Sequence, residues 1–188
     1  MAAAAAGRPQ GFAPTYGARL QGVDSVASTE DRSRKPLRRE GFDYRTATTY
    51  FVTICTADRR PLFGRVDENG RLHPSTIGLL VAETWFDLVE RFPVDLIAFA
   101  AMPDHVHGIL TIRPDEDRAI ESPSLGQVVG AFKSVVWRRT RRHLGNSAQL
   151  WQRGYHDRVV RSDDECRQFE RYIAENPARW AAARMPDS

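Results

Sequence analysis

The chain has little of what defines several common classes of protein. It holds only two cysteines in 188 residues, and Cys55 and Cys166 lie far apart. Two cysteines so placed do not build a disulfide framework, so we expect reduced side chains in or near the core of a cytoplasmic protein. The longest uninterrupted apolar run, from Leu96 to Met102, is too short to cross a bilayer, and the alanine-rich start lacks the basic region of a signal peptide.

The first 38 residues lack hydrophobic periodicity. They are rich in Ala, Gly, Arg, Ser and Pro and lead into a basic stretch from Arg32 to Arg39. Such a segment cannot bury enough apolar surface to offset its ordering entropy. We therefore predict a mobile basic extension over residues 1–38, whose basic end docks on a polyanion, and a folded domain over residues 39–188. A solubilising tail with no other role is the alternative for residues 1–30.

The segment from Met102 to Leu110 is the most informative part of the chain. It holds two of only five histidines, separated by one apolar residue in a strand-like run. Side chains alternate along a strand, so His105 and His107 share one face while Val106 points into the core. Two neighbouring imidazoles can bind a divalent metal, and such a metal commonly binds phosphate oxygens. Two surface histidines on an edge strand are the alternative.

The hydrophobic pattern predicts a mixed fold. Strand patterns cover residues 48–55, 95–101 and 105–112, with an extended segment at 150–160 and a hairpin turning at Asn69-Gly70. Helix patterns begin at Ser75, Ser124 and Ser162 and end near Phe92, His143 and Asn176, where Pro177 disfavours a further turn. This order predicts an α+β fold with an antiparallel sheet and helices on one side of it.

A second set of candidate residues lies on the last helix. Tyr172 and Asn176 are one turn apart and share a face. A deprotonated tyrosine is a nucleophile, and the amide oxygen of asparagine can bind a hard metal. The alternatives are a partly buried core tyrosine and an asparagine that ends the helix.

Basic and aromatic residues are concentrated between Leu125 and Arg161. Arginines pair with phosphates and aromatic rings stack on unpaired bases, a combination suited to single-stranded or hairpin nucleic acid. A solvated charged face is the alternative. Together with the basic end of the extension, the residues we expect to bind DNA are Arg38, Arg39, Lys133, Arg138, Arg139, Arg141, Arg142, Trp151, Arg153 and Tyr155.

Five segments together carry a family resemblance. They resemble, in the family's order, the motifs of the REP-associated tyrosine transposases, which are single-tyrosine HUH nucleases. The resemblance runs from about Arg38 to Trp180, and its segments are Tyr50 to Thr56, Met102 to Leu110, Phe132 to Ser134, Leu150 to Tyr155 and Arg171 to Pro177.

The resemblance implies a fold and a site. The fold would be the palm-like, ferredoxin- or RRM-like HUH nuclease fold. His105, His107 and Asn176 would bind Mg²⁺ or Mn²⁺, and Tyr172 would be the nucleophile. Some relatives have glutamine where Asn176 stands, so the shorter side chain here demands a closer helix.

The resemblance also implies an activity. Such an enzyme binds single-stranded DNA with hairpins formed by palindromic repeats, and cleaves and rejoins it through a 5′-phosphotyrosine link. It would be a nucleoid-associated monomer or homodimer with no membrane partner. Three alternatives stay open: a catalytically silent hairpin-binding protein of the same fold, an RNA-binding module, and a hydrolase that uses a metal-bound water and leaves no covalent adduct.

Overall fold

The computed structural model describes residues 47–114, 122–145 and 149–184. The expected N-terminal extension, which includes Arg38, lies outside these ranges, and so does Arg39. Within them, no helix is long and apolar enough to span a membrane. The strands and helices in chain order are β1 (Thr48–Cys55), β2 (Gly64–Val66), β3 (Leu72–Pro74), α1 (Thr76–Phe86), β4 (Val94–Met102), β5 (His105–Ile112), α2 (Leu125–Leu144), β6 (His156–Val160) and α3 (Asp163–Ala182).

Four strands form an antiparallel sheet in the order β4-β5-β1-β6. β2 and β3 form a separate hairpin around the predicted Asn69-Gly70 turn. The extended segment predicted at 150–160 becomes a strand only from His156, after a single bridge between Thr56 and Trp151. The antiparallel α+β fold is therefore confirmed.

β1 follows the alternation that its sequence predicts. Val52 and Ile54 are fully buried in the main core, which also contains Trp85 of α1 and Phe132 of α2. These last two rings meet edge to face, with centroids 5.5 Å apart. One face of the sheet is thus covered by α1 and α2.

The prediction that all helices lie on one side of the sheet was wrong. Phe51 points away from the main core and stacks on Phe169 of α3, with ring centroids 4.5 Å apart. Nearly every residue of β5 is buried, on both faces of the strand. A strand buried on both faces needs a layer on each side. α3 supplies the second layer, and we call the side it covers the histidine face because His105 and His107 lie there.

α1 is shorter than its sequence predicts. Ser75 caps it as expected, since its hydroxyl accepts a hydrogen bond from the Gly78 N–H at 3.0 Å. The helix ends at Phe86 and continues only as a 3-10 turn over Asp87–Glu90. Pro93 follows closely and disfavours helical backbone at the residue before it. α2 begins at Leu125, and Ser124 caps it in a capping box formed with Gln127.

α3 is longer than predicted, because it continues through Pro177 to Ala182. Proline lacks an N–H and so removes one hydrogen bond from a helix interior. Packing beyond the proline compensates for this loss. Trp180 lies 5.9 Å from the ring of His105, and Ala178 contacts Gly70 so closely that a Cβ on Gly70 would come within 2.8 Å of its Cα.

We predict that Gly108→Ala destabilises the fold. A Cβ at Gly108 would lie 2.3 Å from two ring atoms of the buried Trp85. Either the indole or the strand must shift, and overpacking of this kind costs about 1–3 kcal/mol. Urea denaturation should show the loss in the free energy of unfolding.

The matched control is Gly130→Ala on the exposed side of α2, where a Cβ meets nothing within 4 Å. Alanine is favoured over glycine in a helix by roughly 0.5–1 kcal/mol, so this variant should be slightly more stable. Equal stabilities for the two variants would contradict the assigned contact between Gly108 and Trp85.

Candidate active site

The two histidines of β5 face each other beneath α3. Their Nε2 atoms are 3.0 Å apart. His105 is 6% exposed and His107 is 4% exposed, so neither ring faces an open groove. Strand alternation places them as predicted, with Val106 between them in the core on the opposite face.

Each imidazole also has a hydrogen-bond partner at Nδ1, the ring nitrogen that is not next to the other histidine. The Nδ1 of His105 lies 2.6 Å from Asp104 Oδ1, and the Nδ1 of His107 lies 2.9 Å from Thr53 Oγ1. A carboxylate at Nδ1 holds a proton there, which leaves Nε2 as the ligating atom of His105. The register of the sheet sets the second contact, since Thr53 is directly opposite His107.

Burial controls the charge of His107. Desolvation, followed by the electrostatic effects of His105 and of the Arg59 guanidinium, lowers the pKa of His107 to about 3. The imidazole of His107 is therefore neutral near pH 7, as a metal ligand must be.

Asp104 stays ionised although it is buried. Burial alone raises the pKa of Asp104, but the hydrogen bond and electrostatic interaction with His105, together with the charges of Arg59 and Arg184, lower it overall. The Nε of Arg59 is 2.9 Å from Asp104 Oδ2.

Tyr172 lies against the histidine pair. Its ring meets that of His107 at 70°, with centroids 5.2 Å apart. Phe51 contacts both, because it stacks on His107 at 5.3 Å and meets Tyr172 edge-on at 6.0 Å. With Phe169, these rings form an aromatic cluster that holds α3 on the sheet.

Asn176 occupies the next turn of α3. It is 7% exposed, and it lies between Tyr172, which contacts His107, and Trp180, which contacts His105. The described residues contain no group of three His, Cys, Asp or Glu side chains that could hold a metal, so a third protein ligand would have to be of another type. Two imidazole nitrogens and an amide oxygen fit a divalent cation.

Two of the residues predicted to bind DNA have structural roles. The ammonium of Lys133 donates to the carbonyls of Gln152 and Gly154 at 2.7 and 3.0 Å, and burial lowers the pKa of Lys133. Trp151 is 6% exposed and its Nε1 donates to the Lys133 carbonyl. A ring this buried offers no face to a base, which leaves Tyr155, half-buried, as the stacking candidate.

The α2 arginines lie on the side of the sheet opposite the histidine face. Arg139 is held by α1, because its guanidinium pairs with Glu83 at 2.6 Å and Asp87 at 3.4 Å. The four other arginines of the predicted set that the structure describes are exposed. Three lie on α2 and one follows it, and they are Arg138, Arg141, Arg142 and Arg153. Binding of DNA by these four stays a prediction.

Sequence reasoning missed four residues of the site. Asp104 directly precedes His105, and its position was a usable signal. Thr53 and Phe51 follow only from the register between β1 and β5, and nothing in the local sequence marks Arg59.

Three comparisons relate the chain to known proteins. Its residues 45–176 match the family described as IS200-like transposases. An uncharacterized protein of Haemophilus influenzae is 30% identical over 165 residues, which cover 78% of this chain and 89% of that protein. The structure of a REP-associated tyrosine transposase bound to a REP hairpin has a TM-score of 0.56, with 17% identity and coverage of 76% of this chain and 74% of that one, which confirms the expected fold. The chain belongs to the family of IS200-like transposases.

Proposed function

We propose that this transposase is a REP-associated tyrosine transposase, which cleaves and rejoins hairpin-containing single-stranded DNA through a 5′-phosphotyrosine link. The observation that carries the proposal is the contact between Tyr172 and His107, whose ring centroids are 5.2 Å apart. A tyrosine packed against two buried histidines is an arrangement suited to metal-assisted nucleophilic attack on a phosphodiester. The hairpin in the solved relative supports the choice of DNA partner.

The reaction exchanges one phosphodiester bond for another. The phenol oxygen of Tyr172 loses its proton and bonds to phosphorus, while the bond to the DNA 3′ oxygen breaks and that oxygen gains a proton. Rejoining reverses both changes. Because the bonds made and broken are of the same kind, no nucleotide triphosphate is consumed.

His105, His107 and Asn176 would hold Mg²⁺ or Mn²⁺, which when bound would draw negative charge from a phosphate oxygen. The protein orients the two histidine rings before a metal binds. Asp104 and Thr53 fix the ring orientations from the Nδ1 side. Burial under α3 keeps His107 uncharged.

We predict that Tyr172→Phe abolishes a covalent protein–DNA adduct. The change removes only the hydroxyl, so folding and DNA binding should be retained. The assay is incubation with a hairpin-flanked single-stranded oligonucleotide and Mn²⁺, followed by a denaturing gel.

Tyr155→Phe is the matched control, and it should still form the adduct. The reverse result would identify Tyr155 as the nucleophile. Binding of the hairpin by the unchanged protein with no adduct under any condition would favour the catalytically silent alternative.

We further predict that removal of a histidine weakens metal binding. His105→Ala should lower the affinity for Mn²⁺, measured by titration, by more than about tenfold, since even the loss of a residue that only contacts a ligand costs that much at metal sites. His143→Ala, exposed at the end of α2, is the control and should bind Mn²⁺ like the unchanged protein. Adduct formation that persists in excess chelator would remove the metal from the mechanism.

The low pKa of His107 predicts a pH-dependent stability without metal. In the unfolded chain this imidazole binds a proton near pH 6.5, whereas in the folded protein it does so only near pH 3. The unfolded state therefore binds more protons between these values, and stability is lost as the pH falls from 6.5 towards 3. The slope of the unfolding free energy against pH should be steeper than that of His107→Gln by up to about 1.4 kcal/mol per pH unit. Identical slopes would show that His107 is not kept neutral by the fold.

A further inference from the structure

Two arginines from distant parts of the chain flank Asp104 and His105. Arg59 donates from Nε to Asp104 at 2.9 Å and from Nη1 to the Cys55 sulfur at 2.8 Å. Arg184 lies over the ring of Trp180, 4.0 Å from its centroid, and that ring contacts His105. Both charges act on the Asp104 carboxylate. We call Arg59 and Arg184 the arginine pair.

The arginine pair reaches solvent beside a buried site. The side chain of Arg59 is 50% exposed, and Arg184 is exposed as well. Nε of Arg59 is used by Asp104 and one Nη1 hydrogen by Cys55, so N–H groups on its outer edge can still donate. A guanidinium fixed on one edge and open on the other is suited to a phosphate.

The backbone around Arg59 is held in an unusual conformation. Asp58 and Arg59 both have φ of 54°, in the left-handed region that non-glycine residues rarely adopt. Such strain persists where surrounding contacts enforce it, and it clusters at functional sites. Here the preceding Thr56 is anchored, since its N–H donates to the Asp104 carbonyl at 2.9 Å.

The position of Arg184 depends on the extra length of α3. The family match ends at residue 176, and Pro177 would be expected to end the helix there. The helix instead runs on to Ala182, which brings Trp180 to His105 and Arg184 onto Trp180.

We propose that the arginine pair binds the phosphodiesters of the single strand that adjoin the scissile phosphate, an inference that rests on the proposed function. The exposed arginines of α2 lie on the opposite side of the sheet and cannot contact a phosphate held at the histidines. Arg59 and Arg184 are on the histidine face, where both charges act on the Asp104 carboxylate that contacts His105. They therefore hold the strand in place while Tyr172 attacks.

The test compares two oligonucleotides, a hairpin with a single-stranded tail and the same hairpin without one. Their affinities for the full chain carrying Tyr172→Phe, which removes the proposed nucleophile, are measured by fluorescence anisotropy over a range of salt concentrations. Each phosphate contact to a single strand contributes about 0.7 to the slope of log affinity against log salt. Arg59→Gln and Arg184→Gln should each reduce the slope for the tailed hairpin by roughly that amount and leave the tailless hairpin unchanged.

Arg91→Gln, which removes an exposed arginine elsewhere, is the matched control and should bind both oligonucleotides as before. If Arg59→Gln disturbs Asp104, Arg184→Gln still tests the inference. The guanidinium of Arg184 lies over the ring of Trp180 at the exposed end of α3, whereas that of Arg59 is paired with Asp104. Unchanged slopes for Arg184→Gln, or equal losses on both oligonucleotides, would overturn the inference. Because this assay measures binding alone, its outcome is independent of whether the unchanged protein forms the tyrosine adduct.

Discussion

The candidate site depends on the stacking of Phe51 between Phe169 and His107. This contact places α3 on the face of the sheet that α1 and α2 leave uncovered. The helix then carries Tyr172 and Asn176 over the histidines on successive turns. Without the helix, the histidine face of β5 would be an exposed surface with two ordinary imidazoles. One aromatic contact thus links the packing of the sheet to the chemistry of the site.

Burial has two opposing consequences for the histidine pair. It costs free energy to bury polar rings, and this cost is offset only because Asp104 and Thr53 satisfy the Nδ1 atoms. The same burial keeps His107 neutral and ready to bind a cation. A polar network inside a small sheet protein could be a core feature, but here the tyrosine of α3 contacts it and the chain belongs to a transposase family. These two facts favour a functional site.

The basic residues divide into groups that sequence composition cannot distinguish. Lys133 and Arg139 are engaged by carbonyls and carboxylates of the protein itself. Arg138 and its exposed neighbours on α2 face solvent on one side of the sheet. The arginine pair lies on the other side, on the histidine face, and reaches solvent there. A count of charges along the chain gives the same weight to all of them, whereas the structure shows which side of the sheet each one occupies and how exposed its partners leave it.

Local sequence determined the strands, the hairpin, the cap at Ser75 and the shared face of His105 and His107, because these follow from the alternation of a strand and from short-range hydrogen bonds. It also made Tyr172 and Asn176 neighbours, since helical spacing is local. Tertiary packing decided the side of the sheet on which α3 lies, the continuation of the helix past Pro177, and the burial of Trp151. These features depend on contacts between residues far apart in the sequence. Contacts of that kind can offset the hydrogen bond that a proline removes from a helix, or the cost of burying the N–H of an indole. No local sequence pattern predicts them.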